Sequence, residues 1–467
     1  MKRTLLLGLA LAVVGCSTVG PDYNVPPEAA VQRSDLNGAL RQDASSVVSA
    51  PVPQDWWRLY QDPRLDALVR QALAANTELC VAAANIAKAR AQVEVAESQG
   101  GFQGGVKVGA QRLQESGEAF LKPDKVPVAN VGEAIASVSY QFDLWGTLKR
   151  GTEAAQANAD AVQAAADTAR ITLVADVVKA YTQVCSANEE YHIARQSLDL
   201  QEQSVQLNQR LRDAGRGDET QVTRSQTQFK SLRAELPRFE AERETGLYTL
   251  AALLAKPVDQ LPAGVADCAE LPQLTQLIPV GDGAALLKRR PDVRQAERQL
   301  AAATANIGVA TGALYPDISI GAQIGTIGIV DNLGKPATNR WGFGPQISWS
   351  IPTNATRARI REAEASTQGA LAHFDGVVLN AVRETQTRLA QYSALLERRE
   401  ALVDAERSAK DAADQTHRFY QAGRASFLAD LQATRTYTDM RAQLAAANSQ
   451  VAMGQVGVFL ALGGGWL

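Results

Sequence analysis

The chain has 467 residues, of which 46% are hydrophobic, 21% charged and only 6% aromatic. This hydrophobic fraction excludes a disordered chain, and an Ala-, Gln-, Glu- and Arg-rich middle suits long helices with narrow seams better than one thick core. A formal net charge of −3 gives no reason to expect nucleic acid as a partner, and no apolar run of about 20 residues outside the N-terminus announces an ordinary transmembrane helix.

Residues 1–15 read as a targeting segment. Lys2 and Arg3 form its positive region, and Leu5 to Val14 its short apolar core. The segment ends Val13-Val14-Gly15-Cys16, which resembles a bacterial lipobox and would make Cys16 the first mature residue, acylated on thiol and amine. Two or three acyl chains bind a membrane far more firmly than one. In that pattern an Asp at the next position holds a lipoprotein at the inner membrane; Ser17 stands there instead, which implies outer-membrane sorting. Residues 16–54, rich in Pro, Ser and Asn, are expected to form an extended arm.

The stretch QDWWRLYQDPRLDALV follows. Asp62-Pro63 is a helix start, with Leu65, Leu68, Val69 and Leu73 on one face, and Trp56-Trp57 is a packing anchor. From here the chain reads as two repeats, 55–260 and 290–467, joined by a linker at 261–289. NTELCVAAANIAKARAQV at 76 is echoed by RPDVRQAERQLAAATANI at 290, and YQFDLWGTLKRGTEAA at 140 by ISWSIPTNATRARIREAEA at 347. The expected fold class is α+β, a duplicated helix–strand–strand–helix unit.

The helices are explicit. Residues 152–213 contain neither Gly nor Pro, a helix on the order of 90 Å long. Residues 353–421 lack Pro, though Gly369 and Gly376 soften them. Apolar positions such as Ile171, Val174, Val178, Tyr181, Val184 and Cys185 recur at spacings of three and four, a coiled-coil-like seam. Each long helix ends at an Ala-Gly-Arg triplet, 214–216 and 422–424, and returns over 218–255 or 425–462. Pro237 is expected to kink or break the first returning helix.

Four segments alternate with period two, at about 102–116, 131–145, 316–330 and 339–351. One face carries Phe102, Val106, Val108, Val138, Tyr140, Phe142, Ile318, Ile320, Ile324, Trp341, Phe343 and Ile347; the other carries Gln, Ser, Lys and Gly. A soluble sandwich would bury the apolar face, whereas a membrane barrel would show it to lipid around a wet lumen. Aromatics near the strand ends (Phe102, Tyr140, Trp145, Tyr315, Trp341, Trp349) look like interfacial girdles. With the lipobox beside them, the barrel is the favoured reading. Four strands cannot stay open in a bilayer, because edge N–H and C=O groups would be unpaired. Two copies would make an eight-stranded barrel that side chains tend to fill. Three would make a twelve-stranded, water-filled barrel continuing into an α-barrel of twelve helical strands.

Nothing points to catalysis. His192, His373 and His417 are isolated, with His192 and His417 expected on solvated helix faces, and no phosphate loop or nucleophile–base arrangement occurs. Cys80, Cys185 and Cys268 fit no metal spacing, and buried free thiols are favoured over a disulfide. No metal is expected, and no cofactor beyond the lipid on Cys16.

Taken in order, GPDYNVP after Cys16, WWRLYQDPRLDALV, YQFDLWGTLKR, LLKRRPDVRQAE and ALYPDISI resemble the NodT-type lipoprotein branch of the TolC-like outer membrane factors, over essentially residues 16–467. The resemblance implies a homotrimeric, non-enzymatic exit duct for small molecules such as drugs or metals. Its partners would be a periplasmic adaptor and an inner-membrane transporter of the resistance–nodulation–division type. An exit duct for a protein-secretion system and a non-conducting structural lipoprotein are the alternatives. One departure stands out: where the family has a Phe-Asp-Gly-Gly turn after the fourth strand, this chain has Pro352, Thr353 and Asn354. In this reading Gly215 and Gly423 are left-handed turns at the periplasmic hairpin tips, Asp218 or Ser426 caps a returning helix, and Arg216, Asp218, Arg424 and Asp430 are gate candidates.

Overall fold

The computed structural model describes residues 18–36, 47–114, 116, 118, 121, 123–268, 270–274 and 276–464. The leader and the acylation expected at Cys16 therefore lie outside the described residues. Eight helices and four long strands carry the described fold: α1 Pro63–Ala75, α2 Thr77–Ser98, β1 Phe102–Leu113, β2 Ala129–Phe142, α3 Thr147–Asp213, α4 Glu219–Leu253, α5 Gly283–Arg289, α6 Pro291–Gly312, β3 Asp317–Ile329, β4 Asn339–Ser348, α7 Asn354–Gln421 and α8 Phe427–Ala461. The α+β class and the repeated helix–strand–strand–helix order are as expected. In space the chain forms two compact units, each assembled from both halves of the sequence.

The first unit takes in Asn85–Gln163 and Gln295–Phe374, with the chain up to Pro27. Its sheet is antiparallel throughout, in the order β1-β2-β3-β4. The strands stop short of their expected C-terminal ends for local reasons. β2 ends at Phe142 because the Asp143 carboxylate accepts from Leu148 N and Lys149 N, capping α3, and Gly146 turns the chain at φ 74°. β1 ends at Leu113, beyond which Gln114 Nε2 donates to the Val126 carbonyl across the connection. Small residues let α3 and α6 approach: Ala157, Ala301 and Ala302 pack together against Tyr23.

The second unit, Glu28–Ala84, Ala164–Arg294 and Asp375–Leu467, holds the main core. The seam read from the sequence is fully buried on α3: Val174, Val178, Tyr181, Val184 and Cys185 have no accessible surface. Trp56 stacks on Phe459 of α8 with ring centroids 4.5 Å apart, and Trp57 and Tyr60 are buried beside it, so the aromatic pair anchors packing. Asp62 caps α1 and also accepts from the Tyr181 hydroxyl, at 2.8 Å. α8 is long and apolar enough by composition to cross a membrane, but half of its most apolar window is buried within the chain, which marks a core helix.

Three expectations are corrected here. Cys185 and Cys268 form a disulfide rather than two free thiols, joining α3 to the linker across 83 residues. The linker is held against α3 at that point by Asn188 Nδ2, which donates to the carbonyls of Ala266 and Cys268, so the pairing depends on a long-range docking that spacing does not encode. Cys80 is free and exposed. Of the two outcomes expected at Pro237, a break does not occur: α4 runs on from Glu219 to Leu253 with Leu236 and Phe239 buried on either side of the proline, tertiary packing outweighing the lost hydrogen bond. His417 is not merely solvated, since its Nδ1 lies 3.1 Å from an Asp430 carboxylate oxygen.

Candidate functional site: the sheet and the hairpin turns

Register decides how the sheet can work. Cross-strand partners share a face, and the ladders Phe102–Tyr140–Ile320–Pro345, Gly104–Val138–Ala322–Phe343 and Val106–Ala136–Ile324–Trp341 place every large apolar strand residue named above on one side. That side is bare: Val106 is 79% exposed and Trp341 81%, with Phe102, Val108, Ile324, Phe343 and Ile347 also exposed. Among the described residues no second layer covers it, so the sandwich alternative fails, and the band is far larger than the isolated apolar patches of a soluble surface. The opposite face carries Gln103, Lys107, Glu133, Ser137, Gln323 and Gln346 among glycines, and Lys107 Nζ pairs with Glu133 at 2.5 Å. At the foot of the sheet two tryptophans from the two repeats do the same thing. Trp145 Nε1 donates to the Pro316 carbonyl and Trp349 Nε1 to the Leu314 carbonyl, while Trp145 stacks on Tyr315. This is the arrangement of an interfacial aromatic belt, apolar rings with a satisfied polar edge.

β1 and β4 are each paired on one side only, so their outer edges present unpaired N–H and C=O groups. An apolar sheet with two open edges is incomplete in lipid.

The two Ala-Gly-Arg turns, in the second unit, have one geometry. Gly215 lies at φ 68° and Gly423 at φ 69°. Gly215 N donates to the Arg212 carbonyl and Arg216 N to that of Leu211; Gly423 N donates to Tyr420 and Arg424 N to Phe419. These are two Schellman caps, each pair of amides satisfying carbonyls that the helix end leaves orphaned. The returning helices are capped by different residues: Asp218 accepts from Gln221 N, and Ser426 from Ala429 N. Arg216, Asp218 and Arg424 are exposed at these turns.

Asp430 differs from the other three gate candidates. It is buried and faces His417 across the second hairpin, and the other ring nitrogen of His417 meets Gln421 at 3.0 Å. The first hairpin is tied instead by Arg212, which reaches both Asp213 and Glu219. Sequence reasoning missed the His417–Asp430 contact. A signal existed: His417 stands six residues before Gly423 and Asp430 seven after it, so an antiparallel hairpin brings them level.

The chain's relatives agree with this geometry. The profile of the outer membrane efflux protein family matches residues 68–256 and 284–464. Nodulation protein T of Rhizobium leguminosarum bv. viciae is 28% identical over 98% of this chain and 92% of its own length. Outer membrane protein OprJ of Pseudomonas aeruginosa is 29% identical over 99% and 95%. Among solved structures, the outer-membrane channel OprN superposes with a TM-score of 0.85 at 32% identity, over 96% of this chain and all of that one. The open state of the Neisseria gonorrhoeae MtrE outer membrane channel gives 0.81 at 26% identity, over 96% and 98%. Uncovered apolar sheet, duplicated hairpins and matched profile converge: the chain belongs to the outer membrane efflux protein family and is an outer membrane channel of a tripartite efflux system, reaching into the periplasm of a Gram-negative bacterium.

Proposed function

We propose that the chain works as a homotrimer, a passive exit duct for small molecules, docked to a periplasmic adaptor and an inner-membrane transporter of the resistance–nodulation–division type. The observation that carries this is the four-stranded sheet with one bare apolar face and two unpaired edges. Closure needs other copies. Two copies would enclose a narrow, side-chain-filled barrel, whereas the Gly-, Ser- and Gln-rich inner face suits the wider lumen of twelve strands. The duct carries no catalysis; energy comes from the transporter. Relatives are named for pyoverdine, toluene and antibiotic export, which favours small organic molecules over secreted proteins.

The periplasmic gate is assigned to the hairpin turns, with Arg216, Asp218 and Arg424 as its charges. In a trimer each contributes a ring of three, and rings of charge select and gate. Asp430 is assigned instead to tying the second hairpin through His417. Cys16 is assigned the lipid anchor. Planar-bilayer recording tests the duct: discrete conductance steps are expected, rising when Arg216 and Arg424 are both replaced by Ala. A protein that inserts yet never conducts, in either form, is a structural lipoprotein and the assignment is wrong.

A further inference from the structure

The four strands hold five charged residues, and the register sorts them between the two faces. Arg112, at the far end of β1, stands on the apolar side and donates to Asn130 Oδ1 at 3.3 Å. Lys107, Glu133, Asp317 and Arg340 stand on the polar side. Three of these four are answered. Glu133 lies over its cross-strand partner Gly109, where a Cβ would stand 3.5 Å from Glu133 Oε1, and so reaches Lys107 further back on β1. Asp317, at the foot of the sheet, accepts from Gln141 Nε2 at 3.2 Å. Arg340 is exposed and, among the described residues, meets no carboxylate. Its cross-strand partner is Gly325, and Gly342 follows it on the same face of β4. Asp317 lies eight residues down β3 from Gly325, about 27 Å at the rise of a strand. Glu133 stands two strands away and is already held by Lys107.

A charge within a membrane-spanning segment is rare and marks the path of what passes, and on the lumen side of a barrel it tunes selectivity. We propose that Arg340 sets the charge preference of the barrel: one guanidinium from each of three copies forms an uncompensated cationic ring, which passes small anions, organic carboxylates among them, ahead of cations of the same size. The inference rests on the homotrimeric duct proposed above and adds a substrate preference to it. Glycine on both sides leaves the Arg340 stem uncovered, so no neighbour neutralises it. Lys107 lies in the same cross-strand row as Arg340, three strand spacings or about 14 Å away. Because strands tilt in a barrel, its ring stands at another height, and Glu133 cancels that second ring. Salt sets the reach of the first. At about 0.01 M the Debye length is about 30 Å, long enough for a wall charge to act at the axis, and at about 1 M it is about 3 Å.

The test is the reversal potential of single channels of the full-length protein in planar bilayers under a potassium chloride gradient, at low and at high salt. Wild type, Arg340→Gln, Arg340→Lys and Glu133→Gln share the same hairpin turns, so a difference among them arises in the barrel. Wild type should favour chloride at low salt. Arg340→Gln should lower the chloride-to-potassium permeability ratio about threefold or more there, Arg340→Lys should keep it, and Glu133→Gln should raise it by freeing Lys107; at high salt all four should converge. Gluconate in place of chloride should give the same order. Arg340→Ser repeats the measurement if the Gln form inserts poorly. A low-salt ratio that the neutral substitutions leave unchanged, or that Arg340→Lys loses as fully as they do, overturns the assignment. If no form conducts, the duct falls and this preference with it; channels that conduct with one common ratio overturn the preference alone.

Discussion

Asp218 has two duties that one substitution separates. Its carboxylate caps α4 through Gln221 N, and its charge is one of the proposed gate rings. Asn caps as well as Asp does, while Ala removes both cap and charge at a cost of about 1 kcal/mol. Asp218→Asn should therefore leave thermal stability unchanged and loosen the closed end, raising conductance in bilayer recordings; unchanged conductance removes Asp218 from the gate. Glu190 shows the opposite economy. Burial pushes its carboxyl above the ordinary value, against the bond donated by the Ser186 hydroxyl, and the neighbouring Glu242 charge adds to the rise. A raised folded-state pKa means the native chain holds the proton more tightly than the unfolded one, so this stability is present in acid and lost as pH climbs through the raised value. Glu190→Gln should raise the melting temperature at pH 8 and give no gain at pH 4; an equal shift at both would show that packing, not charge, is responsible. The disulfide belongs to this scale too. Joining residues 83 apart, it should contribute on the order of 2–4 kcal/mol by restricting the unfolded chain, and Cys268→Ser should lower the melting temperature only when wild type is kept oxidised. If reduced wild type and variant still differ, the cross-link is not the cause.

Among elements, the hairpins and strands were legible because their signals are local. A Gly closing a long Gly-free run marks a left-handed cap, and period-two alternation marks a strand with two unlike faces. Gly215 and Gly423 do sit in that conformation, which costs a residue with a Cβ about 1–2 kcal/mol. Gly215→Ala and Gly423→Ala should each raise amide exchange in the last turn of the preceding helix while the Val174–Val184 seam stays protected; protection unchanged in both places would mean the turn tolerates a side chain. What was not legible depended on distant partners. The Cys185–Cys268 bond needs the linker docked on α3, and the Arg150 side chain meets a segment about 130 residues upstream in sequence, whereas the His417–Asp430 contact was within reach of the hairpin spacing. That Pro237 leaves α4 unbroken has the same cause: propensity speaks for isolated helices, and the buried Leu236 and Phe239 answer for this one.

At the scale of the molecule, duplication and incompleteness are the central facts. Two repeats supply two hairpins and one four-stranded sheet, and the sheet has no way to satisfy its edges within a single chain. The apolar face excludes water and the open edges exclude lipid, so the sheet exists in a bilayer only as part of a ring. The periodicity told the two faces apart, but a single sequence holds no signal for how many copies close the ring; that follows from the width a polar, glycine-rich inner face requires. Native mass spectrometry of the detergent-extracted protein tests this most directly. The account predicts particles of three chains that persist when Cys16→Ala removes the lipid, because strand pairing rather than acylation holds the ring. A dominant monomer or dimer from a preparation that still binds detergent through its apolar face would contradict it.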